Sequence, residues 1–209
     1  MSTTTQSKNS PWPKFEVETD DGRRQRSDRS RRRIIEAMFD LLRAGNMSPS
    51  AVEVAEHADV GLRTVFRHFE DMDGIYNEMT EALMASIRPK LTAPFESETW
   101  RDRLFESVDR RADVYESVFP MKVCLSLRRF QSDFLQEQYK RDLSQMRSTL
   151  RAILPDAIIE DRALFAALDV TLAFSTWRRL RQDQKLSVEN AKAAIRKILT
   201  GLIADVDAA

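Results

Sequence analysis

The 209 residues hold 33 basic and 33 acidic side chains, a formal charge of zero, so any affinity for nucleic acid has to come from a local concentration of cations. Hydrophobic residues at 42% suffice for a core, while 5 glycines and 7 prolines are few for a turn-rich chain and favour long helices. A single cysteine excludes an internal disulfide, no apolar run reaches the ~18 residues of a membrane span, and the polar N-terminus shows no secretion signal, so a cytoplasmic protein without membrane association is expected.

Residues 1–22 are rich in Ser and Thr, carry Pro11 and Pro13, and show no helical period; they read as a tail with Trp12 and Phe15 as its apolar residues. Residues 22–33 then hold seven arginines against one aspartate. This stretch, which includes Arg31 and Arg32, reads either as a solvated basic tail or as an arm touching DNA phosphates or a minor groove. From Ser27 the pattern becomes helical, with Ile34, Ile35, Met38, Leu41 and Leu42 on one stripe and Gly45 as a C-terminal stop. Ser50 and Glu53 form a capping box, which starts a short second helix carrying Val54, Ala55 and Ala58. A third short helix, Leu62 to Phe69, is expected to turn Val65, Phe66 and Phe69 inward. The fourth starts near Asp71, carries Ile75, Tyr76, Met79, Leu83 and Ile87, and is expected to end at Arg88-Pro89.

The remainder is also helical. One stripe (Trp100, Leu104, Val108, Tyr115, Val118) is expected to stop at Pro120, with a shorter apolar piece from Met121 to Phe130 behind it. Another (Leu135, Tyr139, Met146, Leu150, Ile153) stops at Pro155. The last two helices are expected over 158–183 and 188–206, the second capped by Ser187 and striped by Val188, Ala191, Ile195, Ile198, Leu199, Leu202 and Val206. No stretch alternates with period two, so the expected class is all-α, with about nine helices. The expected divisions are a partly basic tail over 1–26, a helix-turn-helix unit over 27–74 and a helical body over 75–209.

Residues 50–69 have the pattern of a DNA-reading helix-turn-helix. Ala55 and Ala58 allow close helix approach, Val60-Gly61 supplies the turn, and the second helix offers Leu62, Arg63, Thr64, Arg67 and His68 on its outer face. Arginine pairs with guanine N7 and O6; threonine meets a phosphate or a thymine methyl. The run Glu53-Val54-Ala55-Glu56-His57-Ala58-Asp59-Val60-Gly61-Leu62-Arg63-Thr64-Val65-Phe66-Arg67-His68-Phe69, preceded by Arg33-Ile34-Ile35-Glu36-Ala37, resembles the helix-turn-helix of the TetR family of bacterial transcriptional regulators. A weaker likeness covers Trp177-Arg178-Arg179-Leu180-Arg181 and Gln184-Lys185-Leu186-Ser187.

The resemblance implies a homodimer that binds double-stranded DNA. The apolar run Ala163 to Phe174 and the stripe of the final helix are expected to join the two copies, and their two-fold symmetry calls for a near-palindromic operator. The resemblance also implies a small-molecule effector that alters the affinity. It places Thr64, Phe66, Arg67 and His68 at DNA-contacting positions. Three residues depart from the family pattern: Gly61 where a serine caps the recognition helix, Phe66 where a tyrosine reaches a phosphate, and Met72 where a lysine binds one. A repressor released by a largely apolar effector is the expected function; a regulator without an effector and an activator of the same fold are the alternatives.

Tyr115, Met121, Cys124, Phe130, Phe165, Asp169 and Trp177 are the candidates to line an effector cavity, although each aromatic fits a plain core equally well. His57 and His68, the only histidines, lie on different helices without a cysteine or carboxylate pattern beside them, so no metal is expected. No nucleophile–base pair, carboxylate pair or phosphate loop is present, so no enzyme activity and no cofactor are expected.

Overall fold

A computed structural model describes residues 22–206, with side chains from Arg26 onward. Among these residues there are ten α-helices, one π-helical turn and no strand, so the fold is all-α as expected. Of the expected tail over 1–26, residues 1–21, with Trp12 and Phe15, lie outside the described residues, while 22–26 are helical. The helices are α1 (Gly22–Arg43), α2 (Ala51–His57), α3 (Leu62–His68), α4 (Met72–Thr92), α5 (Trp100–Arg128), α6 (Asp133–Arg151), α7 (Asp156–Glu160), α8 (Arg162–Thr171), α9 (Phe174–Arg178) and α10 (Val188–Leu202). The π turn, Arg179–Asp183, follows α9. They fall into two compact units, one of 22–89 with 120–135 and the other of 90–119 with 136–206.

In the first unit α1 starts at Gly22, earlier than the expected Ser27, so the arginine-rich stretch is helical. Arginine is a good helix former, and between Gly22 and Gly45 no glycine or proline interrupts it. Ile34, Ile35, Met38, Phe39 and Leu42 are buried on its inner face. The helix ends in a Schellman pair, with the Asn46 amide donating to Leu41 and the Gly45 amide to Leu42, while Gly45 takes φ +93°.

Two expected proline stops are overridden. Pro89 lies inside α4, three residues before its end, and Pro120 lies well inside α5. A proline in a helix costs about 3 kcal/mol. Around Pro120, Val114, Tyr115 and Val118 before it and Met121 and Cys124 after it are all buried, each worth roughly 1.5–3 kcal/mol, so burial wins. Two of the three boundaries between the units fall at these same prolines.

In the second unit the helix expected over 158–183 is broken into α7, α8, α9 and the π turn. Asp161 starts α8 by accepting from the Ala163 and Leu164 amides, both at 3.0 Å. The break after α8 has a tertiary cause. The Leu172 carbonyl accepts from the Tyr115 hydroxyl (2.8 Å) and the Arg111 guanidinium (3.2 Å), instead of continuing the helical ladder. Arg111 is itself buried and also donates to the Met146 carbonyl of α6, while α8 and α10 pack together. In α10, Ala191, Ile195 and Leu199 are buried within the chain, whereas Ile198 stays exposed.

Candidate nucleic-acid interface

The capping box at the start of α2 is present in both directions. The Glu53 amide donates to Ser50 Oγ (3.2 Å), and the Ser50 amide donates to Glu53 Oε2 (2.8 Å). The Ser50 hydroxyl (2.7 Å) and amide, both donating to Glu53 Oε2, joined by a bond from Asn46, hold the Glu53 carboxyl below its ordinary pKa.

The turn into α3 differs from the expected Val60-Gly61 turn. α2 ends in a second Schellman pair, Val60 amide to Ala55 and Asp59 amide to Glu56, and the residue in the left-handed region is Asp59, at φ +51°. Aspartate tolerates that region better than most residues, and Arg33 of α1 secures it. Gly61, at φ −68°, is an extended N-cap that offers no side-chain hydrogen bond. Its freedom is not used.

At about 100° per residue, α3 presents three strips outside its buried line of Val65 and Phe69. Arg63 and Arg67 occupy the middle of the outer face. Both are exposed and make no hydrogen bond or ion pair among the described residues. Thr64 and His68, half-buried, form one flank, with the His68 Nε2 buried and without a partner among the described residues. Burial, then Arg67 and Arg31, lowers the His68 pKa, which Asp28 and Glu78 only partly oppose. Leu62 and Phe66 form the other flank at 40% and 48% exposure, so Phe66, expected to turn inward, points out.

Of the two arm arginines singled out, Arg31 is engaged within the unit. It donates to Glu78 (2.5 Å) and to the His68 carbonyl (3.2 Å), and stacks on Phe69 at 4.7 Å. Arg32 is half-exposed, and neither it nor the exposed Arg29 has a partner among the described residues. Arg23 and Arg24 have side chains outside the described residues. Met72 is followed by Asp73, which accepts from Ser132 Oγ at 2.7 Å, and preceded by Asp71, which accepts from the Gly74 amide at 2.9 Å. The start of α4 is therefore acidic, the opposite of a phosphate site.

The chain is similar in structure to a transcriptional regulator from Rhodococcus sp. Rha1, at a TM-score of 0.62 and 20% sequence identity over 84% of this chain and 96% of that one. This chain has the regulator's fold. No family model and no curated protein matches it.

The residues expected to line an effector cavity divide by unit. In the first unit Met121 and Cys124 are buried. The Cys124 thiol lies 4.0 Å from the Tyr76 hydroxyl, and burial raises the pKa of both groups. Phe130 is 75% exposed, with Arg129 over its ring. In the second unit Tyr115 and Trp177 meet around Phe174, whose ring lies 5.4 Å edge-on from both Tyr115 and Phe119. Phe165 and Asp169 instead turn toward α6, under Arg151 (4.7 Å) and against Arg147 (2.8 Å). An open groove of about 350 Å³ runs along α6, lined by Lys140, Leu143, Ser144, Arg147 and Arg151.

Sequence reasoning missed what anchors Trp177. Its indole N–H donates to Glu116 Oε1 (2.8 Å), while Arg181 grips the same carboxylate with two nitrogens at 2.9 and 3.0 Å. Burial alone would raise the Glu116 pKa, but these donors outweigh it and lower the value. Glu116 lies 61 residues from Trp177 and 65 from Arg181, which leaves no local pattern to find.

Proposed function

We propose that this chain is a TetR-like transcriptional repressor, working in the cytoplasm as a homodimer that binds a near-palindromic operator and is released by a small, largely apolar effector. The observation that carries the reading is the exposed Arg63–Arg67 pair, unpartnered among the described residues, on a short helix held by a capped helix-turn-helix. Guanidinium groups left in water at helical spacing suit base edges and phosphates in a major groove. Arg29 and Arg32 add cations for the phosphate backbone, and the likeness to a Rhodococcus regulator supports the same reading.

The dimer reading rests on apolar surface on α8 and α10. Val170 (63%) and Ile198 (44%) are exposed, with the small residues Ala163, Ala166 and Gly201 exposed on the same two helices. A two-fold contact between copies would bury them. The effector is proposed to meet the aromatic cluster of the second unit, where Phe119 and Phe174 are half-exposed.

Selection from a library of random-core duplexes tests the function. The full chain is expected to enrich one near-palindrome, bound as two copies. Enrichment of no sequence, or binding governed only by salt and duplex length, would contradict it.

A further inference from the structure

Resting on that DNA-binding reading, we propose that the operator half-site carries two thymines whose C5-methyl groups are read by Leu62 and Phe66. The two side chains stand at i and i+4 on one flank of α3, exposed at 40% and 48%, and so form one continuous apolar strip. Val65 and Phe69 already fill the inner face, so neither Leu62 nor Phe66 is needed there. Beside them run Arg63 and Arg67, likewise one turn apart and unpartnered among the described residues.

This pairing of strips commits the face to duplex DNA. The arginines match the negative potential of the groove and the acceptor edges on its floor. A helix placed there brings its apolar flank with it, and the apolar group that a B-form major groove offers is the thymine methyl. Against any other base the flank would lose water without gaining a contact. The missing phenolic hydroxyl at position 66 fits the same account, since Phe66 has no polar atom for a phosphate and a whole ring edge for a methyl.

The test begins with a duplex enriched by the full chain from a random-core library. Each thymidine in one half-site is replaced in turn by deoxyuridine, which removes one methyl and no hydrogen-bonding group. Fluorescence anisotropy is expected to show two positions where the replacement weakens binding by about fourfold, the effect of withdrawing one methyl-sized apolar contact. Phe66→Ala and Leu62→Ala, surface changes whose folding is checked by circular dichroism, are each expected to weaken binding to the thymidine duplex. Each is also expected to abolish the deoxyuridine penalty at one of the two positions.

Deoxyuridine tolerated at every position, or penalties that persist undiminished in both variants, would overturn the inference while leaving DNA binding intact. Alanine variants with unchanged DNA affinity and an altered oligomeric mass would assign the strip to a protein contact and overturn it too. If no duplex is enriched, the DNA-binding reading falls and this inference with it.

Discussion

Arg33 of α1 donates to both the carbonyl (3.1 Å) and the carboxylate (2.9 Å) of Asp59, the residue that takes φ +51° between α2 and α3. The left-handed turn is thereby tied to the first helix, and the angle of α3 with it. The carboxylate is almost fully exposed, so its ion pair contributes little, and the backbone geometry decides what position 59 tolerates. Asp59→Gly is expected to change stability by no more than about 0.5 kcal/mol. Asp59→Val, branched at Cβ, is expected to cost about 1–2 kcal/mol in urea unfolding. Equal stability of the two variants would contradict the role given to this turn.

His68 gives a pH dependence with a definite sign. Its folded pKa lies below the ordinary value of 6.5, because burial of the ring, then Arg67 and Arg31, disfavour the imidazolium. The unfolded chain therefore binds the proton more readily. Stability from this group is complete above the unfolded pKa and declines as pH falls from about 6.5 toward the lower folded value. His68→Leu is expected to flatten that part of the profile, measured as urea midpoints at about pH 7.5 and 5.5. A parent and variant that lose stability equally over this range would remove His68 from the account.

The contrast between these two sites shows what the sequence could reveal. The Ser50–Glu53 box and the Gly45 stop involve neighbours a few residues apart, so residue type and spacing were enough. Arg63 and Arg67 were legible for the same reason, as an i, i+4 pair beside an inward Val65. Periodicity turned Phe66 inward, because an apolar residue in a short helix is ordinarily core; the resemblance alone placed it outward, and the packing shows the inner face already filled. Pro120 and the break at Leu172 were illegible because burial of flanking side chains and donors from α5 override the local signal. Arg31 was read as part of a solvated tail or of an arm touching DNA, but Glu78, 47 residues on, holds it.

Removing the Glu116 carboxylate should expose how much the second unit depends on one long-range clamp. Glu116→Ala leaves the buried Trp177 indole N–H and two Arg181 nitrogens without their acceptor, and is expected to cost about 1–3 kcal/mol. Glu116→Gln, which keeps one acceptor oxygen, is expected to lie between parent and alanine. Chemical unfolding of the three proteins checks the order; an alanine variant as stable as the parent would contradict it.

Val170→Glu and Ile198→Glu place charges on the exposed apolar surface of α8 and α10. Both are expected to stay folded and to shift the light-scattering mass from twice 24.2 kDa to 24.2 kDa, with weaker operator binding. Leu199→Glu, one residue from Ile198 but fully buried within the chain, is expected to unfold the protein instead. A monomeric parent, or dimeric glutamate variants at both exposed positions, would remove this surface as the interface.

The most direct measurement concerns Arg63 and Arg67 together. Anisotropy titrations of the selected duplex, run at two salt concentrations, compare the parent with Arg63→Ala, Arg67→Ala and the double variant. Each single change is expected to weaken binding by about 1–3 kcal/mol where the arginine reads a base, with specificity relaxed at that position. Where it holds a phosphate, the loss should be similar across sequences and the salt slope smaller. A folded double variant that binds the selected duplex as tightly as the parent, with the same salt slope, would contradict the assignment of α3 as the DNA-reading helix.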